Sequence, residues 1–287
     1  GRYRPVSMAR MRASIDAQGR WTGWHVRIAE QSLAAAALTQ FLKDGVDQVG
    51  VRAFADQPYD VANYLLEYAM RNTHVPPGPW RAVAHTNNPF ARECFVDEIA
   101  HALKRDPVEF RRPLLANKPK DLAVMEAVAK AAGWGRPLPA GVHRGIAVSD
   151  SYGSYSAAVV ELAVRDGSVI EVKRVFVALD PGHVVHPDAV RAQIEGGAVW
   201  ALSAVMHEEI TIEKGRVVQG NFNDYPILTL AQTPEIIPIL MPSGGFWGGV
   251  GEPPFAAIPA AFGNALFAAT GKRIRSMPLK RHGFSYA

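Results

Sequence analysis

Apolar residues recur at helical spacing in the first half of the chain and alternate with polar ones in much of the second. Residues 6 to 30 predict a β-hairpin, because Asp16-Ala17-Gln18-Gly19 supplies turn residues between two runs rich in β-branched and aromatic side chains. Residues 31 to 44 are alanine-rich and fit either a helix or an ordered loop. Residues 60 to 70 carry a weak helical pattern, and Val75-Pro76-Pro77-Gly78-Pro79 then excludes regular structure. The spacing of Phe90, Cys94, Ile99 and Leu103 predicts a helix over residues 89 to 104. A second, with Pro107 in its first turn, runs to residue 115, and a third spans residues 120 to 132 and stops at Gly133.

Pro137-Leu138-Pro139 and Gly141 read as a linker, beyond which the pattern changes to period two. Residues 157 to 164 and 169 to 179 flank Arg165-Asp166-Gly167-Ser168, a hairpin signal that opens a sheet. A long helix is predicted over 188 to 208 despite Gly196-Gly197, another hairpin over 210 to 218, and a last helix over 258 to 270 capped by Gly271. These elements predict an α+β fold, mixed sheets with packed helices, in two subdomains: residues 1–140 and 141–287.

A length of 287 residues with 48% hydrophobic and 20% charged residues describes a globular chain and excludes a disordered tail, a coiled coil and a collagen-like fibre. The single cysteine, Cys94, excludes an intramolecular disulfide, a cysteine zinc site and an iron–sulfur cluster held by this chain alone. It sits on a helical apolar face, as a packing residue does. The net charge of +4 is dispersed, so no basic stripe points to nucleic acid. No run approaches the roughly 18 apolar residues of a membrane span, and cytoplasm and periplasm both fit. The opening Gly1-Arg2-Tyr3-Arg4-Pro5 lacks an initiator Met and reads as a start inside a longer polypeptide.

The densest chemical signal is Ser243-Gly244-Gly245-Phe246-Trp247-Gly248-Gly249-Val250-Gly251-Glu252-Pro253-Pro254. Its glycines let backbone amides approach a ligand, and its prolines stiffen the exit, so Glu252 reads as a positioned carboxylate. On these residues alone a flexible loop with Glu252 facing water fits equally well. A P-loop does not fit, since the Gly-Lys-Ser/Thr ending is missing. His183 and His186 lack a third ligand nearby, so they do not read as a metal site.

Gly249-Val250-Gly251-Glu252-Pro253-Pro254 with the following residues 260 to 271 resembles the C-terminal end of the molybdopterin-binding large subunit of the xanthine oxidase family of molybdenum hydroxylases. Three segments agree in the same order. Pro77-Gly78-Pro79-Trp80-Arg81-Ala82-Val83 through Glu93, Asp106-Pro107 and Phe110-Arg111 is similar to the family's arginine-bearing substrate loop and the helices after it. Asp180-Pro181-Gly182-His183 with Gln193-Ile194-Glu195-Gly196-Gly197 resembles its cofactor-lining helix, and residues 219 to 225 the strand that follows. The spellings at residues 3 to 6, 77 to 81, 87 to 88 and 221 to 225 are most similar to the isoquinoline 1-oxidoreductase beta-subunit group, with membrane-associated aldehyde dehydrogenases beside it.

The resemblance implies the following roles. Glu252 is the general base beside the metal, which lets water-derived oxygen attack an electron-poor carbon. Arg81 and Val83 serve the substrate side, although the family's glycine after the arginine is Ala82 here. Ala82, Gln193, Gly249, Val250 and Gly251 contact the cofactor, and the protein ligates no metal directly. Read from residue type alone, Trp80, Phe246 and Trp247 are candidates for an aromatic wall, although large aromatics more often pack in a core. The implied cofactor is a molybdopterin dinucleotide with molybdenum, in the cytosine form in this subgroup. The implied partners are a small 2Fe–2S subunit and a polypeptide bringing the rest of the cradle, because the family's Gly-Gly-Phe-Gly and Gly-Gln loops do not occur in this sequence. The substrate class is an aldehyde or an N-heteroaromatic compound. A metal-free scaffold fragment with the same fold is the competing expectation.

Overall fold

A computed structural model describes residues 1–287. The predicted first hairpin forms: β1 (Ser7–Ile15) and β2 (Trp21–Glu30) pair antiparallel. Asp16 closes the turn by accepting the amides of Gln18 and Arg20 at 2.9 Å each. The alanine-rich stretch becomes a short helix α1 (Leu33–Ala37), capped by the Ser32 hydroxyl, and a small ribbon of β3 (Leu42–Lys43) and β4 (Val46–Asp47).

Residues 60 to 70 are not helical, which corrects the expectation from their pattern. Asn63–Met70 form β5, parallel to β2 in one three-stranded sheet. Leu65, Leu66, Glu67, Ala69 and Met70 are good helix formers. Continuous pairing with β2 and the Tyr64 ring lying 5.1 Å from the Trp24 ring override that local preference. Then come α2 (Asn88–Ala102), α3 (Pro107–Leu114) and α4 (Pro119–Ala131), close to their predicted bounds. The Asp106 carboxylate caps α3 through the amides of Val108 and Glu109, and Gly133, at φ 62°, follows α4 in the left-handed region.

The second sheet is the centre of the molecule. Strands β6 (Val142–Ser151), β7 (Ser154–Arg165) and β8 (Val169–Asp180) form an antiparallel meander. Helix α5 (Pro187–Met206) and the small hairpin of β9 (Ile212–Glu213) and β10 (Arg216–Val217) precede β11 (Glu235–Leu240), which pairs parallel with β8. Two helices follow, α6 (Pro253–Ala256) and α7 (Ile258–Thr270), the latter ended by Gly271 at φ 71°. Strand β12 (Ser285–Tyr286) also joins β8 in parallel.

The period of two sorts the sheet's side chains between two cores. Ala158, Val160, Leu162, Val175, Val177 and Leu179 face α5 and α7. Ala157, Val159, Phe176 and Ala178 face α2, α3, α4 and the inner face of β2. On the first side α7 lies directly on β6: a Cβ at Gly145 would stand 2.2 Å from the Ala265 nitrogen and 2.5 Å from the Ala261 oxygen.

On the second side a fully buried ionic cluster ties the layers. Glu93 of α2 accepts from Arg92, from Arg111 of α3 and from the Tyr59 hydroxyl, while Arg92 donates to the Ala53 and Val148 carbonyls at 2.7 and 3.0 Å. Burying two guanidinium groups and one carboxylate is tolerable because nearly every polar atom finds a partner. Cys94 is buried between α2 and α7, with its sulfur 3.9 Å from the Ala260 carbonyl, and burial pushes its thiol up. No helix is long and apolar enough to cross a membrane.

Candidate active site at the carboxyl ends of two parallel strands

Strands β8 and β11 run parallel and end side by side, and the segments leaving them are stitched together. Asp180, the last residue of β8, accepts the amides of Gly182 and Ser243, the Gly244 amide donates to the Gly182 carbonyl at 2.7 Å, and the Gly248 amide to Pro181 at 2.9 Å. The approach requires glycine: a Cβ at Gly182, whose φ is 76°, would stand 2.0 Å from the Phe246 oxygen. Crevices at such strand ends commonly hold ligands. The first segment feeds α5 and presents Gln193; the second carries the glycine-rich run to Glu252, immediately before α6.

The third wall comes from residues 80 to 86. Ala82 and Val83 both have positive φ, 72° and 50°, a strained conformation for a β-branched residue, and they start a 3₁₀ turn over Val83–Thr86. This tight turn aims the Ala82 amide at Glu252, whose Oε1 accepts it at 2.7 Å. Arg81 donates from Nε to the Gly251 carbonyl at 2.7 Å and from Nη2 to the Gln193 Oε1 at 3.2 Å, and its guanidinium lies 5.4 Å from the centre of the Trp200 ring. Burial lowers the Arg81 pKa and the Glu252 charge opposes that shift.

Arg81, Ala82, Gln193, Gly251 and Glu252, spread over more than half of the sequence, therefore meet in one place. Val83 is half-buried beside them, and its amide is held by the Trp80 carbonyl at 2.7 Å. The glycine run divides in two. The Gly249 amide donates to the Tyr152 carbonyl at 2.9 Å and its carbonyl accepts from Ser154, which removes that amide from the set expected to face a ligand. The amides of Val250, Gly251 and Glu252 donate to no protein atom.

Three successive free N–H groups beside an amide oxygen and a guanidinium suit the oxygen- and nitrogen-rich edge of a pterin cofactor, so the residues present fit that group. No group of three or more His, Cys, Asp and Glu side chains is arranged to hold a metal ion. His183 instead contacts the Gly245 carbonyl through Nε2 at 2.9 Å, and His186 caps α5 by accepting the Ala189 amide.

The aromatic candidates separate as well. Trp80 packs edge-on against Trp200 and Phe255, flanking Arg81, whereas Phe246 is exposed and Trp247 is exposed and stacked on His183 at 4.4 Å. Two site neighbours had no signal in the sequence. Tyr152 occupies the turn between β6 and β7, where burial and then the charge of Glu252 push its phenol up to about 12. His85 lies just past the 80 to 83 turn, with its ring 5.8 Å from that of Tyr152. Neither belongs to a motif, and only the return of the β6–β7 hairpin to Gly249 brings them in.

Known proteins give an independent comparison. Two molybdopterin cofactor-binding domain families match in succession, one over residues 2–114 and the other over residues 97–234. The membrane-bound aldehyde dehydrogenase [pyrroloquinoline-quinone] of Gluconacetobacter polyoxogenes is 31% identical over an alignment covering 97% of this chain and 40% of that protein. Isoquinoline 1-oxidoreductase subunit beta of Brevundimonas diminuta is 37% identical over 67% of this chain and 25% of its own length. The chain thus spans less than half the length of these curated relatives. Among solved structures, quinoline 2-oxidoreductase from Pseudomonas putida 86 superposes with a TM-score of 0.71 over 95% of this chain and 61% of its own, at 15% identity. The aldehyde oxidoreductase from Desulfovibrio desulfuricans gives 0.73 over 96% and 48%, also at 15%. At that identity the likeness is one of fold.

Proposed function

Because the chain belongs to the xanthine oxidase family of molybdenum hydroxylases, as a molybdopterin-binding part of the large subunit, we propose that it supplies the base-bearing half of a site that oxidises an aldehyde or an N-heteroaromatic compound. The relatives' names, an aldehyde dehydrogenase and an isoquinoline oxidoreductase, favour these two substrate classes. The cofactor is a molybdopterin dinucleotide in its cytosine form, which when bound supplies the redox centre and the water-derived oxygen. Val250 and Gly251 hold it through their free amides and Gln193 through its side-chain amide. Glu252 takes the proton released as oxygen adds to the substrate. Ala82 fixes the orientation of that carboxylate, and Arg81, braced by Gly251 and Gln193, faces the charge that develops on the substrate, with Val83 beside it.

Electrons leave through 2Fe–2S clusters on a small partner subunit, and a further polypeptide segment completes the cradle. The apolar groups left in solvent around the site, Trp200, Phe246 and Trp247, support a surface that another segment covers.

The observation that carries this reading is the Glu252 carboxylate, oriented by a backbone amide and set beside three unpaired amides. Glu252→Gln keeps the shape and removes the basicity. In the assembled complex it should retain molybdenum while reduction by substrate slows by about 10² to 10⁴. A molybdenum-loaded variant reduced at the wild-type rate would show that Glu252 is not the base, and a metal-free wild-type complex would favour a scaffold.

A further inference from the structure

At the β6–β7 turn the chain forms a half-open cavity of about 250 Å³ lined by Arg52, Asp56, His85, Asp150, Ser151 and Tyr152, among others. Its mouth carries the exposed Arg52 and Asp56, and its floor is different. His85 is 2% exposed and Ser151 7%, yet the His85 Nε2, the Ser151 Oγ and the Asp150 Oδ1 have no hydrogen-bond partner in the protein. Buried polar atoms are almost always satisfied, and a polar space of this size has room for the water that would satisfy these.

Tyr152 lines this cavity, feels the charge of Glu252 and is held in an unusual way. Tyr152 and Gly153 are the two central residues of the β6–β7 turn, with φ of 51° and 76°. A type I′ turn of this kind favours Asn or Asp at its first position, and a bulky residue at positive φ is strained there. The strain is maintained by the Gly249 amide on the Tyr152 carbonyl and by the Ser154 hydroxyl on the Gly249 carbonyl at 2.5 Å. The same clamp ties the turn that carries Tyr152 to the loop that carries Glu252.

We infer that Tyr152 is a positioning and proton-relaying residue that connects Glu252 to water held in this cavity by His85, Asp150 and Ser151. The inference rests on Glu252 being the base. After each turnover the protonated Glu252 gives its proton to the Tyr152 oxygen as the Tyr152 hydroxyl passes its own to a cavity water. The net change is one proton moved from carboxylic acid to water, with carboxylate and phenol restored. The phenol is too weak an acid to persist as phenolate, so the two transfers are concerted. Burial pushes His85 down to about 4, so its imidazole is neutral and offers a hydrogen bond to water without repelling the moving proton.

Two measurements on the assembled, molybdenum-loaded complex test this. In Tyr152→Phe the first substrate-driven reduction should proceed at the wild-type rate, because that single step needs no proton returned to water, while steady-state turnover falls by about a hundredfold or more and is restored by imidazole buffer. A crystal structure of the wild-type complex should show ordered water on the His85 Nε2, Asp150 Oδ1 and Ser151 Oγ and within reach of the Tyr152 hydroxyl. A cavity without water bridging to Tyr152, or unchanged steady-state turnover in Tyr152→Phe, overturns the relay even where Glu252→Gln is slow. Wild-type reduction rates in Glu252→Gln would instead remove the base assignment and the relay with it.

Discussion

At the scale of single residues, the site is built from groups that restrain one another. Arg81 donates to a carbonyl and to a side-chain amide on two other segments, and these separate directions need the planar guanidinium fork. Arg81→Lys should fold and bind cofactor but lower turnover by about 10²- to 10³-fold, the scale of losing one oriented donor. Steady-state kinetics with both an aldehyde and an N-heterocycle would check it, and unchanged rates would return Arg81 to bracing the glycine loop. Arg81 and Glu252 were legible because each sits in a distinctive run. Tyr152 was not, since nothing in Asp150-Ser151-Tyr152-Gly153 tells that its first turn residue is strained or that Gly249 is its partner.

Among the elements, what could be read was whatever repeats locally. The two long hairpins and the helices α2, α3, α4, α5 and α7 carry their own periodicity, turn residues and stops. Strand β5 reads as a helix because its residues favour one until β2 is beside them, and β11 carries no strand signal because Pro238 interrupts a short apolar run; proline is tolerated there since the strand lies at the edge of the sheet. The contact between α7 and β6 is likewise invisible in sequence, although it is among the tightest in the molecule. Gly145→Ala would push a methyl group into the α7 backbone, so the helix must move away from the sheet. A loss of about 1–3 kcal/mol is expected in chemical denaturation, the usual cost of overpacking, and no loss would mean that α7 rides loosely on the sheet.

For the molecule as a whole, both cores rest on one sheet, so a perturbation in either is felt by the global stability. Glu30 is the clearest case. It is 4% exposed, its Oε1 is unpartnered, and burial together with the nearby Asp47 raises its pKa to about 8. Asp47, in contrast, accepts from the Ser32 hydroxyl and the amides of Ala34, Val49 and Gly50. Between the unfolded value of 4.5 and about 8 the folded chain holds a proton that the unfolded chain has released, so this contribution to stability falls as pH rises through that window. Denaturation measured from pH 5 to 8 should show the decline, and Glu30→Gln should flatten it; an equal slope in the variant would exclude Glu30 as its source. The span between Ala82 and Glu252 has a further consequence, one of timing. These residues lie 170 positions apart, and the bond between them cannot form until that whole span has been synthesised. During translation the arginine turn emerges early and waits, its two strained residues without the carboxylate that later restrains them. Cofactor loading then waits for residue 252, and a chain stalled before it can build most of the sheet but lacks the carboxylate on which the site turns.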